Sequence, residues 1–440
     1  MSPTIPIPHD IPLPLPADAD FLKLALIFLF LLHILFVNLM IGGSVFVIIY
    51  EWLGIKRPDY DRLAREIAST ITVNKSMAVV LGVGPLLTIN VLYTIYFYTA
   101  NALTGVAWSM IIPLVSAAFL LGYAHNYSWD RLSSQKGLHI SIGAGAALIF
   151  LLVPLIFLSN INLMLFPQRW PETRGWLSTL WTPNVLPRYL HFLFGSIAVS
   201  GLFFAGYFGR EKYPVEERLV GLSRGRLRRM FYSIALSATA ANFMAGPLLF
   251  FTLPAQGVSW PLIGVILIGV CLAAAAAVIL WREITLPAAA PAWRFYLLIV
   301  LLTGTVVMMA SGRHMYRENA VSVHRAHMEA NTQTYISMTG AARWRDSQGL
   351  GMVQDESLSP GEKVFNNVCA SCHAYDVRLV GPPLTEIAEI YPNDPAGIIQ
   401  WVKKPGRKRP DYPPMPPVAL SETQHQAVAQ YILDRVAGGE

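Results

Sequence analysis

The residues best placed to do chemistry stand near the C-terminus. There Cys369-Ala370-Ser371-Cys372-His373 sets two thiols three positions apart, with a histidine directly behind the second. Thiols at that spacing can each form a thioether to one porphyrin while the histidine takes the iron, so the motif predicts one covalent haem c. Zinc is the competing use of a C-x-x-C pair, and it is the weaker reading in an exported domain. Haem c is attached on the outer side of an energy-transducing membrane. Residues around 369 are therefore expected in the periplasm, and everything upstream has to deliver them there.

From about Ser357 the chain has room for one compact domain of ~80 residues. This tail resembles a class I cytochrome c over its whole length. Gly361 and Phe365 precede the motif on a short helix, Gly381-Pro382-Pro383-Leu384 follows it, and Tyr431 lies on a final helix expected at 422–436. The resemblance implies that the first and last of these helices cross at those residues. It also implies that the Pro382 carbonyl holds the free N–H of His373, fixing the ring and raising its basicity. A thioether is implied as sixth ligand. Met415, in Tyr412-Pro413-Pro414-Met415-Pro416-Pro417, is the only methionine between His373 and the C-terminus. Prolines on both sides stiffen that loop and lower the entropy lost in holding a weak sulfur ligand. His/Met ligation raises the reduction potential and closes the iron to small ligands, so this haem is expected to carry electrons.

The elements that must position this domain are apolar. Of 440 residues, 54% are hydrophobic and only 14% charged, which excludes an ordinary soluble protein. The net charge is +6 and no basic run is interleaved with aromatics, which excludes nucleic acid as a partner. Eight stretches near the ~20 residues that span a bilayer fall at about 22–50, 76–99, 107–128, 138–159, 189–208, 230–252, 260–280 and 294–311. The first exceeds the ~7–15-residue apolar core of a signal peptide and reads as a retained span. Lys56, Arg57, Arg62 and Arg65, then Arg131 and Lys136, then the basic run from Arg210 to Arg229, then Arg282, occupy alternate loops. By the positive-inside rule those loops are cytoplasmic.

The expected fold is thus all-α: an eight-helix transmembrane bundle followed by a small periplasmic all-α cytochrome c domain. Its parts are a Pro-rich segment without Lys or Arg at 1–20, a membrane domain at 21–311, a polar connector at 312–356 and the haem domain at 357–440. Both termini lie on the periplasmic side of a bacterial inner membrane.

Ionisable residues inside spans are costly and mark functional positions. His33 lies in the first span and His191 at the start of the fifth, with Gly195, Ala198 and the pair Gly42-Gly43 nearby as small residues that admit a porphyrin or a helix. A histidine hydrogen-bonded between helices is the plainer use of each. Residues 25–310 resemble subunit I of the cytochrome bd quinol oxidase superfamily. The resemblance rests on Leu32-His33-Ile34-Leu35-Phe36-Val37, Trp129-Asp130-Arg131-Leu132, Arg188-Tyr189-Leu190-His191-Phe192 and Gly312-Arg313. It implies His33 and His191 as ligands of haem b, one or more, and Arg313 as a neighbour of haem propionates. The chain also departs from that family. Residues 107–122 lack its acids, Met309-Ala310-Ser311 replaces a glutamate, and only Met244 is at hand as a methionine ligand. The quinol loop is cut to Thr252-Leu253-Pro254-Ala255-Gln256-Gly257.

His125 and His139 read as capping or polar-face residues, with haem ligation or proton relay as alternatives. His314, His324 and His327 read as a solvated face, with a metal pair as the alternative for the last two. His9 and His425 read as surface, and Cys271 as core filling. The leading expectation is a membrane-bound b/c-type cytochrome. It would move electrons between haem b in the bilayer and periplasmic c-type carriers, as a subunit of a respiratory complex, with other redox subunits or quinone as further partners. A cytochrome c-fed terminal oxygen reductase, or a haem c domain on a membrane anchor, are the alternatives. No residue is assigned a catalytic role.

Overall fold

Helix α1 (Ala19–Gly54) starts where the Asp18 carboxylate accepts from the backbone N–H groups of Asp20 and Phe21, at 3.0 and 3.1 Å, satisfying donors that a helix start leaves free. It belongs to a computed structural model that describes residues 15–285, 292–347 and 357–438, without the side chains of 73–75, 292 and 341–347. Residues 1–14, with His9 and most of the Pro-rich segment, and 348–356 of the expected connector lie outside the described residues. The chain divides into two compact units at Met328/Glu329.

In the first unit α1 is followed by α2 (Pro58–Leu92), α3 (Thr94–Thr104), α4 (Ile111–Tyr127), α5 (Lys136–Met164), α6 (Val185–Gly209), α7 (Arg224–Phe251), α8 (Trp260–Thr285) and the greater part of α9 (Ala292–Ser347), which runs on past the division at Met328. Among the described residues seven helical stretches are long and apolar enough to cross a membrane, and eight if the bent halves of α2 count as one span. The exterior of this unit carries Leu24, Phe28, Leu35, Ile112, Leu120, Leu148, Leu267 and Val300 at more than half exposure. In water such a surface would drive aggregation. Against lipid tails it is the matching solvent, and helices keep every backbone polar group paired. Cys271, expected in the core, lies on this exterior; in a bilayer a small apolar side chain needs no burial.

One expected loop is helical. Residues 58–72 form the first half of α2, with Pro58 at its start. Leu63, Ala64, Ile67 and Ala68 recur at helical spacing and are fully buried, while Arg62, Arg65 and Glu66 point outward. The basic loops do gather at one end of the unit. Arg65 pairs with Asp130 at 2.6 Å, Lys136 with Asp61 at 2.6 Å and Arg218 with Glu66 at 3.5 Å, and Arg62 donates to the Val220 carbonyl at 2.6 Å. The expected connector continues the last span as helix through Ser347. Gly42 and Gly43 admit helices rather than a porphyrin: a Cβ would meet the Ser200 side chain at 2.4 Å and Ile71 at 2.5 Å.

The second unit is built on α10 (Pro360–Val364), α11 (Leu384–Ile390), α12 (Pro395–Lys403) and α13 (Glu422–Ala437), the first three packing on the last. A reciprocal capping box, Ser421 with Gln424, starts α13. Gly361 is pressed on the Ala427 carbonyl, where a Cβ would stand at 2.2 Å, and Phe365 meets Tyr431 with ring centroids 5.6 Å apart. This is the expected helix crossing. His425, expected at the surface, is buried, because α13 turns it toward the core face shared by Val428, Ala429 and Ile432.

Candidate functional site

The C-terminal unit assembles its candidate site locally. After α10 the backbone makes one π turn, Phe365–Cys369, with the Ala370 N–H donating to the Phe365 carbonyl at 2.9 Å. Such turns cluster at functional sites because they re-aim side chains. The chain then folds back. Gly381 N–H donates to Cys372 O at 2.8 Å and Leu384 N–H to Ala374 O at 2.9 Å, which brings the Pro382 carbonyl 2.7 Å from His373 Nδ1. A carbonyl only accepts, so His373 carries its proton on Nδ1 and presents a lone pair on Nε2, the tautomer an iron ligand needs. Gly381 lies flat on the ring; a Cβ there would sit 2.4 Å from Cε1.

Burial pushes the Cys369 thiol up to about 11. Met415 is half-buried, its N–H bonded to the Gly406 carbonyl at 3.2 Å. Its loop is clamped to α11: Arg409 and Tyr412 reach the Glu386 carboxylate at 2.6 and 2.9 Å, and Arg409 pairs with Asp411 at 2.8 Å. These groups fit a covalent haem with one histidine ligand and a stiffened methionine loop beyond it.

In the membrane unit the same carbonyl device recurs. His33 Nδ1 lies 2.8 Å from the Ala78 carbonyl of α2, which frees Nε2, and Gly82 one turn on would clash with the ring at 2.9 Å if it bore a Cβ. His191 is treated differently. Its neighbour is Asn242 on α7, whose amide in the orientation that satisfies both ends lies 3.2 Å from Nδ1 and bonds the backbone of His191 and Gly195. Gly246, four residues on, shares that face. Met244 does not: it is 78% exposed, being about 200° around the helix from Asn242. The methionine suggested for His191 therefore points to the bundle exterior.

Arg313 lies over the Phe30 ring at 4.8 Å, within electrostatic reach of Arg188 and Arg317. Among the described residues none of the three has a salt bridge. Three close guanidiniums without a counter-ion fit a bound anionic group such as a propionate. Arg188 and Arg317 escaped the sequence reading because arginines in short loops and connectors look like topology markers.

Of the connector histidines expected on a solvated face, His327 is exposed, while His314 and His324 are partly buried. His324 packs on Tyr96 and Trp170, with ring centroids 5.5 and 5.7 Å away. His125 and His139 are buried and share the carboxylate of Glu51, a residue missed as the ordinary end of an apolar run.

Comparison with known proteins divides along the same line. The cytochrome c family matches residues 358–435. Cytochrome c-551 of Pseudomonas denitrificans is 34% identical over 79 residues, covering 17% of this chain and 96% of that protein. Among solved structures, the bd oxidase from Geobacillus thermodenitrificans superposes with a TM-score of 0.56 at 12% identity, over 73% of this chain and 95% of that one. At that identity the likeness establishes the fold of the membrane unit.

Proposed function

We propose, from the premise that this chain belongs to the cytochrome c family through its C-terminal unit, that it is the electron-transfer subunit of a respiratory complex. It is a membrane cytochrome with a covalent haem c. In the proposed arrangement it sits in a bacterial inner membrane, with both termini periplasmic. Electrons then pass between haem b in the bilayer and periplasmic c-type carriers by way of haem c.

Bound haem supplies a reversible one-electron change at iron. The protein's part is to hold the iron and set its potential. Cys369 and Cys372 would anchor the porphyrin, and His373, oriented by Pro382, and Met415 would hold its iron. His33 would hold haem b through its Nε2 lone pair, His191 would do so on giving up the Nε2 hydrogen that the Asn242 N–H at Nδ1 implies, and Arg188, Arg313 and Arg317 would receive propionates. The observation that carries the haem b part is His33: its Nδ1–H is committed to Ala78 O, leaving Nε2 as a lone pair inside a membrane span. The same bond ties α1 to α2, and the Nε2 lone pair it leaves over is what a haem b ligand would use.

The shortened loop at 252–257 favours a c-type carrier over quinol as the exchanging partner. The test is a pyridine haemochrome assay on purified full-length protein, with CO difference spectra. A haem b to haem c ratio of one or more is expected, with no CO shift. A ratio of zero rejects the reading in favour of an anchored haem c domain. Oxygen uptake driven by reduced cytochrome c, together with a CO shift, rejects it in favour of an oxidase.

A further inference from the structure

At the Lys/Arg-rich end of the membrane unit, Glu51 in the last turn of α1, His125 in the last turn of α4 and His139 in the first turn of α5 form a closed cluster, each less than 5% exposed. We propose that this cluster is a proton-binding site holding one exchangeable proton beyond the neutral histidines and ionised carboxylate.

The hydrogen bonds require it. His139 Nε2 is 2.8 Å from the His125 carbonyl, which can only accept, so that nitrogen carries a hydrogen. In a neutral ring Nδ1 then bears a lone pair. Yet Nδ1 is in close contact with Glu51 Oε1, which also offers only lone pairs when ionised. One more proton must lie between them, as imidazolium or as carboxylic acid. The other carboxylate oxygen takes a normal bond from His125 Nε2 at 2.7 Å.

Charge counting gives the same number. Lys136 stands 3.5 Å from Glu51 and 2.6 Å from Asp61 on α2. With neutral histidines, two carboxylates and one ammonium leave a net −1 in a low-dielectric setting, which is unfavourable. One proton cancels it. Of the other charged groups at this end, Arg65 pairs with Asp130 at 2.6 Å, Arg57 with Asp59 at 2.9 Å and Arg218 with Glu66 at 3.5 Å, and Arg62 donates to the Val220 carbonyl. Trp129 donates its indole N–H to Asp61 at 3.3 Å.

The three ligand atoms are close enough together to suggest a metal, but distances decide against one. Two ligands at about 2.0–2.1 Å from tetrahedral zinc stand about 3.3 Å apart, whereas His125 Nε2 and Glu51 Oε2 are 2.7 Å apart, a direct hydrogen bond. Lys136 adds a repelling charge. Closed to bulk solvent itself, the cluster adjoins partly exposed groups on one side and a small cavity on the other. Lys136 and Asp61 are 21% and 25% exposed, and on the inner side His125 lines a cavity of about 40 Å³ with Ser44 and Thr72, room for a bridging water. A proton can thus be taken from the basic end and handed toward the interior.

The proposal does not depend on haem b. It is tested on full-length protein in lipid nanodiscs at pH 7.5, with 15N-labelled histidine read by NMR and carboxyl bands read by infrared. One doubly protonated imidazole or one protonated carboxyl per chain is expected, absent in Glu51→Gln and assigned with His125→Gln and His139→Gln. Two singly protonated rings with an ionised carboxylate would overturn it. So would one equivalent of zinc or copper that elemental analysis finds in the wild type and not in Glu51→Gln. The wild-type spectra decide by themselves if that variant does not accumulate.

Discussion

The two units solve one problem on unrelated scaffolds. His373 and His33 each have Nδ1 beside a backbone carbonyl, at 2.7 and 2.8 Å, and each has a glycine pressed against the ring. In the C-terminal unit the carbonyl is nine residues away along one loop, and the glycine is its neighbour. In the membrane unit the carbonyl is 45 residues away on another helix. A local device is carried by the chain's own turn chemistry. A non-local one exists only if α1 and α2 pack in register, so its histidine should be more sensitive to packing and less to sequence context.

The largest effect that can test this comparison is loss of the covalent group. The double change Cys369→Ala, Cys372→Ala should reduce covalent haem stain to background while leaving any non-covalent haem b in place, because the ligands of the two units share no residue. Joint loss of both haems would show that the units do not bind independently. Next in size is His33→Ala, which should lower haem b per haem c by half or more in a pyridine haemochrome assay. His191→Ala should do the same. Unchanged content in both would leave the carbonyl device in the membrane unit without a ligand role.

What could be read in the sequence follows the same division. The C-x-x-C-H run, Pro382 and the crossing at Gly361, Phe365 and Tyr431 were legible because their spacing is short and their chemistry narrow. The spans were legible from hydropathy, but the first half of α2 was not: its charged face makes a helix look like a loop unless the buried Leu63, Ala64, Ile67 and Ala68 are seen together. Glu51 and Asn242 were invisible for another reason. Each acts through partners on other helices, 74 residues away for His125 and Glu51, and no pattern along one helix reports that. Met244 misled because residue type was weighed without the helical angle that turns it outward.

The glycines sharpen the comparison at intermediate cost. Gly381→Ala places a Cβ 2.4 Å from the His373 ring, and Gly82→Ala places one 2.9 Å from the His33 ring. Overpacking of this kind typically costs about 1–3 kcal/mol. The first should be the worse, lowering the thermal midpoint of the haem c absorbance and shifting its potential. The second should weaken haem b retention with haem c unchanged. Equal effects of Gly82→Ala on both haems would contradict the division.

The smallest effect concerns the Met415 loop and acid. The Arg409 guanidinium holds the Asp411 carboxyl at about 2, below its usual 3.8. A carboxyl lowered on folding contributes stability that is complete above its unfolded value and disappears as pH falls through its folded one. The contribution is therefore present at neutral pH and lost between about pH 4 and pH 2. Both partners are exposed, so salt screens the pair and the gain is modest. The expected signature is local: on acidification the haem c spectrum should change over this window in low salt, and less in high salt. Arg409→Gln should move the change to higher pH, because Asp411 would then keep only the weaker pull of Arg378, 3.8 Å away, and of its own backbone, while leaving haem b untouched. A haem c spectrum equally acid-sensitive with and without Arg409 would mean that the clamp on Glu386 and Asp411 does not hold the sixth-ligand loop.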